Sequence, residues 1–190
     1  MNARFDLTMD KPTFLRWVQE QDRRYDWVKG RAIMQQMTTR DHGRLAARFI
    51  HLFIMGLDAG NWNVMGADLA VDLGDQIRYP DVLVERVGGV GKAHETDRPV
   101  VLVEVLSPSS VATDFKIKPP HYMALPSLEA YIVASQDEPQ CWVWQRQNGT
   151  AERPFATDPA LILGRDARID LAAIGISIPL ADIYHGMFEA

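Results

Sequence analysis

Two stretches decide how this chain folds: RYPDVLVERV, residues 78–87, and RPVVLVEVLSPSS, residues 98–110. Both have the β-branched and apolar make-up of strands. The second is apolar on both faces, as strands are in the middle of a sheet covered from both sides. Yet Glu104 stands inside it, on the face shared with Leu102 and Leu106 by the period of two. Asp81 stands directly after Pro80, at the mouth of the neighbouring strand. A buried carboxylate is costly unless it is paired, protonated or bound to a metal. Glu104 falls near the C-terminal end of its strand, where ligand sites lie in open α/β sheets.

Outward from these strands, residues 12–22 (PTFLRWVQEQD) predict a short amphipathic helix with Phe14, Leu15 and Val18 on one side. WVKGRAIMQ, 27–35, reads as a strand pair or a bent strand turning at Lys29–Gly30. Residues 41–57 (DHGRLAARFIHLFIMGL) form the clearest helix, with Leu45, Phe49, Leu52 and Phe53 at helical spacing and Asp41 or Thr39 as its cap. After Gly60, NVMGADLAVDL, RYPDVLVER, PVVLVEVL, LEAYIVAS and QCWVWQRQ each read as one strand. The last two are joined by a hairpin turn at QDEP, around Pro139. A loop and a short helix separate Leu106 from Leu128, and ARIDL with ISIPLADIYH predicts one more strand and a terminal helical turn. This order implies an α+β (α/β-like) fold with a mixed central sheet flanked by helices.

The 190 residues suit a single domain, 1–190, with a sizeable core. Hydrophobic content is 47% and charged content 24%, ordinary for a globular protein. No apolar run is long enough to cross a bilayer, and MNARFDLTMDKPTF has no signal-peptide core, so a cytoplasmic protein without a membrane partner is expected. Cys141 is the only cysteine, which leaves no disulfide framework and no cysteine-based metal cluster. The net charge of −5 argues against a strong nucleic-acid binder, but its distribution is uneven. Residues 1–52 hold 10 Lys+Arg against 6 Asp+Glu; the rest holds 10 against 19. The basic third is either a solvated helix face or a surface for a polyanion.

Asp81, Glu104, and then Asp114, Lys116 and Lys118 in the crossover are the residues that carry chemistry. Two carboxylates on adjacent strands can share a hard cation such as Mg²⁺. A nearby lysine can orient a water and offset phosphate charge, which together suits metal-assisted hydrolysis of a phosphodiester. At this point the chain resembles the Uma-type endonucleases, a branch of the PD-(D/E)XK nuclease superfamily. The matching residues are Pro80-Asp81-Val82, then Glu104-Val105-Leu106-Ser107-Pro108-Ser109-Ser110, then Asp114 and Lys118, then Tyr122 and Glu129-Ala130-Tyr131-Ile132-Val133. Gly30 and His42 fit upstream, and IGISIPLADIY downstream.

The resemblance implies a restriction-endonuclease-like core. It implies Asp81 and Glu104 as ligands of Mg²⁺ or Mn²⁺, the Val105 carbonyl as a further ligand, and a nucleic acid, DNA rather than RNA, as substrate. It implies that the lysine normally two residues after the glutamate has moved to the next helix, since Leu106 holds its usual place and Lys118 replaces it. His42 falls where the superfamily puts an accessory polar residue. A homodimer is expected, because a chain this size covers little of a duplex.

Each residue also has a plainer reading. Glu104 reads as a structural ion-pair partner, Asp81 as a strand-entrance residue after proline, and His42 as a helix N-terminal polar residue. Asp114 reads as a cap or lysine partner, and Tyr122 as core. Pro119 and Pro120 follow Lys118, and proline disfavours helical geometry in the residue before it. A break is therefore expected between Asp114 and Tyr122, with the helix restarting at Pro119 and Lys116 as a rival to Lys118. Asp26 is the acid nearest to Gly30, with Arg31 after it. A nuclease fold kept as a binding module, without cleavage, is the second reading, and hydrolysis of a smaller phosphoester the third. GGVGK, 88–92, lacks the first glycine and the Ser/Thr of a phosphate loop. Ser107 and Ser109 lie in no nucleophile elbow.

Overall fold

A computed structural model describes residues 7–147 and 154–188. Strand β1 (Leu7–Thr8) leads into helix α1 (Lys11–Trp17), which Asp10 caps through its carboxylate on the Thr13 amide. Strands β2 (Tyr25–Val28) and β3 (Arg31–Met34) form a hairpin. Its two-residue turn needs positive φ at both positions, which Lys29 (47°) and Gly30 (87°) adopt. Helix α2 (Arg40–Gly56) starts at Thr39, the cap, and buries His42, Leu45, Phe49 and Phe53 along one face.

The stretch from 63 to 73 is two strands rather than one: β4 (Trp62–Gly66) and β5 (Ala70–Asp72), which join different sheets. RYPDVLVER divides in the same way into β6 (Gln76–Arg78) and β7 (Val82–Arg86). The break is at Pro80, whose missing N–H ends a ladder. After β8 (Glu95–Thr96) comes β9 (Pro99–Val105), buried at all seven positions. A π-helical turn, Thr113–Ile117, runs directly into α3 (Lys118–Tyr122). Strands β10 (Ala130–Ala134) and β11 (Gln140–Gln145) pair as the expected hairpin, and β12 (Ala160–Leu163) extends it. The C-terminal part holds two strands where one was expected: β13 (Arg168–Leu171) and β14 (Ile176–Pro179), an antiparallel pair of their own, followed by α4 (Leu180–Ile183).

The central sheet has the order β12-β11-β10-β9-β7-β4. It is mixed, with β9 and β10 parallel and β7 and β9 antiparallel. A second six-stranded sheet, β1-β3-β2-β6-β5-β8, was not expected from the sequence. One face of the central sheet (Val101, Val103 and Val105 of β9) packs on α2, α4 and the β13–β14 hairpin. The other face (Leu83, Leu102, Tyr131, Val133) packs on Tyr122, Leu125, Leu128 and on Val71 of the second sheet. Trp142 and Trp144 fill that same face, Phe115 standing edge-on to Trp142 at 4.9 Å. Each buried Val or Leu side chain stabilises by about 1.5–3 kcal/mol. A strand so rich in apolar neighbours can hold one carboxylate, provided that carboxylate finds partners.

Candidate active site

Asp81 lies just beyond Pro80, in the gap between β6 and β7, where the chain leaves one sheet for the other. Its Oδ2 accepts the Val105 amide at 2.8 Å and lies 3.1 Å from His42 Nε2. His42 is buried in the first turn of α2, its own amide donating to Thr39 Oγ1 at 3.1 Å. The N–H and C=O of one strand residue point to the same side, so the Val105 carbonyl also faces the Asp81 side.

Glu104, 4% exposed, is held by Lys118 Nζ at 2.7 Å from its Oε1, and by the Tyr122 hydroxyl, which donates to the same oxygen at 3.0 Å. Lys118 Nζ also lies 2.9 Å from Asp114 Oδ1, close enough for an ion pair but out of line for a hydrogen bond. The backbone of Asp114 is fixed by the Tyr131 hydroxyl, which donates to its carbonyl at 3.0 Å. Burial pushes the Glu104 carboxyl up to about 8; Lys118 pulls the other way, and the Asp81 and Asp114 carboxylates add to the rise. Burial works against the Lys118 ammonium, but Glu104 and Asp114 outweigh it and hold its pKa above the ordinary lysine value. Tyr122 is raised well above the ordinary phenol value by burial and by Glu104, so it stays a neutral donor.

The expected helix break before Pro119 is absent. Ile117 (φ −98°, ψ −49°) and Lys118 (φ −69°, ψ −42°) are both right-handed helical, and the Lys118 amide reaches the Thr113 carbonyl five residues back. An ordinary α-turn would press the Pro119 ring against the carbonyl four residues back. The wider π turn relieves that crowding, and π turns of this kind recur at functional sites. Pro119 and Pro120 then occupy the first turn of α3, where proline is tolerated. Lys116, the rival lysine, is exposed, and the contacts with Glu104 and Asp114 are made by Lys118.

Two features beside the site carry no clear sequence signal. Asp26 is not an open acid but half of a buried ion pair: Arg78 Nη1 donates to its Oδ2 at 2.9 Å, and Gln35 Nε2 to its Oδ1 at 2.9 Å. Arg78 also donates through Nε and Nη2 to Gln76 Oε1. The one hint is an arginine inside a strand-like run, two residues before Pro80. Gln136 is the other. Thr39 Oγ1 donates to Gln136 Oε1, and Gln136 Nε2 donates to the Leu106 carbonyl. This ties the start of α2, and so His42, to the exit of β9.

Glu104 and Asp114 thus share one lysine, and the Asp81 carboxylate stands close enough to bear on Glu104. Among the described residues no three His, Cys, Asp or Glu side chains form a ligand cluster. A cation here could be held by Asp81 and Glu104, with main-chain oxygen and water making up the rest. Two surface clefts, of about 280 and 330 Å³, lie elsewhere on the molecule.

Comparison with known proteins fits this geometry. An uncharacterized protein of Synechocystis is 26% identical over 179 residues, covering 92% of this chain and 90% of the relative. A crystal structure described as "a putative nuclease belonging to DUF820", from Anabaena variabilis, superposes with a TM-score of 0.72 at 15% identity, covering 89% of this chain and 94% of that one. The fold is accordingly the restriction-endonuclease-like α+β fold. The sequence profile of Uma2, described as "Putative restriction endonuclease", matches residues 12–177, and the chain belongs to that family.

Proposed function

We propose that the protein is a metal-dependent endonuclease that hydrolyses phosphodiester bonds of nucleic acid, DNA in preference to RNA, with Mg²⁺ or Mn²⁺ held by Asp81, Glu104 and the Val105 carbonyl. The observation that carries this reading is the buried Glu104 carboxylate, which shares Lys118 with Asp114 and lies within the field of Asp81. Asp81 and Glu104 are hard oxygen donors, and Glu104 is desolvated beside like charge, so a divalent cation offsets what one ammonium leaves uncompensated. When bound, such a cation polarises the phosphate and lowers the pKa of a water.

The chain's own residues do the remaining work. His42 and the Val105 amide orient Asp81 from two sides. Tyr122 and Lys118 hold Glu104 in one rotamer. Lys118 presents its ammonium toward the same space, where it positions the attacking water and stabilises charge developing on the phosphate. Asp114 keeps Lys118 in that place from four residues away. The Lys118–Glu104 contact supports hydrolysis over the alternative of a degraded fold that only binds, because it removes one of the two grounds for that alternative, a helix broken at Pro119, the other being Arg31 after Gly30. A homodimer would bring one such site to each strand of a duplex.

The test is nicking of supercoiled plasmid with Mg²⁺ or Mn²⁺ by the wild type and by Glu104→Ala, purified alike. Metal-dependent nicking that the variant loses by about a hundredfold or more is the expected result. Equal activity in both would place the chemistry elsewhere.

A further inference from the structure

The site does not account for the basic N-terminal third. On α2, Arg40, Arg44 and Arg48 follow at four-residue spacing, which puts them in one row, roughly 6 Å apart along the axis. The row lies away from the buried face of Leu45 and Phe49. Like charges at this spacing repel one another along the helix. Arg40 follows Thr39 directly, and Thr39 bonds to Gln136 at the rim of the candidate site. At its other end the row enters the cleft of about 280 Å³, whose polar lining is Arg44, Arg48, His51 and His185 over a floor of Ile183 and Met187.

No carboxylate is among the described residues that line this cleft. Asp41 is engaged by Arg44, with Nη1 3.3 Å from its Oδ1, and Arg44 Nη2 donates to the Gly186 carbonyl at 2.9 Å. That arginine is therefore fixed in advance of any ligand. The side chains of Arg48, His51 and His185 have no hydrogen bond or ion pair among the described residues. Asp182 on α4 is exposed and does not line the cleft.

We propose that the outer face of α2, from Arg40 to this cleft, binds the phosphate backbone of the nucleic acid whose scissile bond lies at Asp81 and Glu104. The proposal rests on the nuclease reading. The row spans roughly 12 Å of helix, about three to four nucleotides of rise on one strand. Contacts of this type position a strand without reading its sequence, and they weaken as salt displaces the phosphates.

The test is the anisotropy of a short fluorescein-labelled duplex in EDTA, where nothing is cut, over a range of KCl. The proteins are the wild type, Arg48→Glu, Arg40→Glu/Arg48→Glu, and Arg98→Glu, which makes the same charge change at an exposed arginine in the approach to β9. Arg48→Glu is expected to weaken binding about tenfold, and the double variant to flatten the slope of log K against log salt by about 2, near one for each phosphate no longer neutralised. Arg98→Glu is expected to change affinity by less than about twofold. Equal losses for Arg48→Glu and Arg98→Glu, or no loss for Arg48→Glu, would overturn the assignment of this face. Plasmid cleavage with Mg²⁺ runs beside it. A wild type that binds through α2 but never cuts would leave this surface standing and sink the nuclease reading. Cutting by the wild type with unchanged affinity in the double variant would do the reverse.

Discussion

Glu104 is the residue on which the site turns. An unfolded glutamate titrates near about 4.3, whereas burial holds the folded one at about 8. Between those values the folded protein keeps a proton that the unfolded chain has lost. Its contribution to stability is therefore present at low pH and disappears as pH rises through about 8. A cation must displace that proton, so its affinity rises over the same window. Thermal melts on either side of this pH, with and without Mn²⁺, check this: the metal-free melting temperature falls as pH rises, and the Mn²⁺-induced increase grows. A Mn²⁺ increase independent of pH would contradict it. Glu104 was legible because a carboxylate in a wholly apolar strand has few places to go. Lys118 was less so, because the local rule for a residue before proline points to a break, and a π turn answers that rule only where packing of Phe115 and Tyr131 holds the turn in place.

Among the elements, α2 is both a scaffold and the carrier of His42. Its cap, Thr39, accepts the His42 amide and bonds Gln136. Thr39→Ala is expected to cost about 1 kcal/mol in urea unfolding, and Thr39→Ser much less. Gln136→Ala is expected to lower the cleavage rate about tenfold, the equivalent of about 1.4 kcal/mol, with little change in melting temperature. It would loosen the join between α2 and β9 without opening the core, since Gln136 is only half-buried. The helix itself was plain in the spacing of its apolar residues. The division of 63–73 between two sheets was not, because it is settled by the partners that tertiary packing brings to β4 and β5, β7 for one and β6 with β8 for the other.

For the whole molecule, the second sheet presses its buried Arg78–Asp26 pair up beside the central one, just ahead of Asp81. Removing one partner leaves an uncompensated buried charge. Arg78→Ala or Asp26→Ala is expected to cost about 3–5 kcal/mol, and the double variant less than the sum of the two. A double-mutant cycle in urea reads this, and simple additivity would show that the pair is not coupled. No described helix is long and apolar enough to cross a membrane.

The central strands, the long helix, the β2–β3 turn and the candidate pair Asp81 and Glu104 could all be read along the chain. They rest on local periodicity and on the cost of burying charge, which a stretch of sequence carries within itself. Other features came from long-range packing: the existence of two large sheets, the reach of Lys118 rather than Lys116 to Glu104, the engagement of Asp26 by Arg78, and the tie from α2 to β9 through Gln136. Each of these joins residues far apart in the chain, or is settled by packing around a short turn. No local propensity encodes such contacts, because their energy exists only once the partners have been brought together.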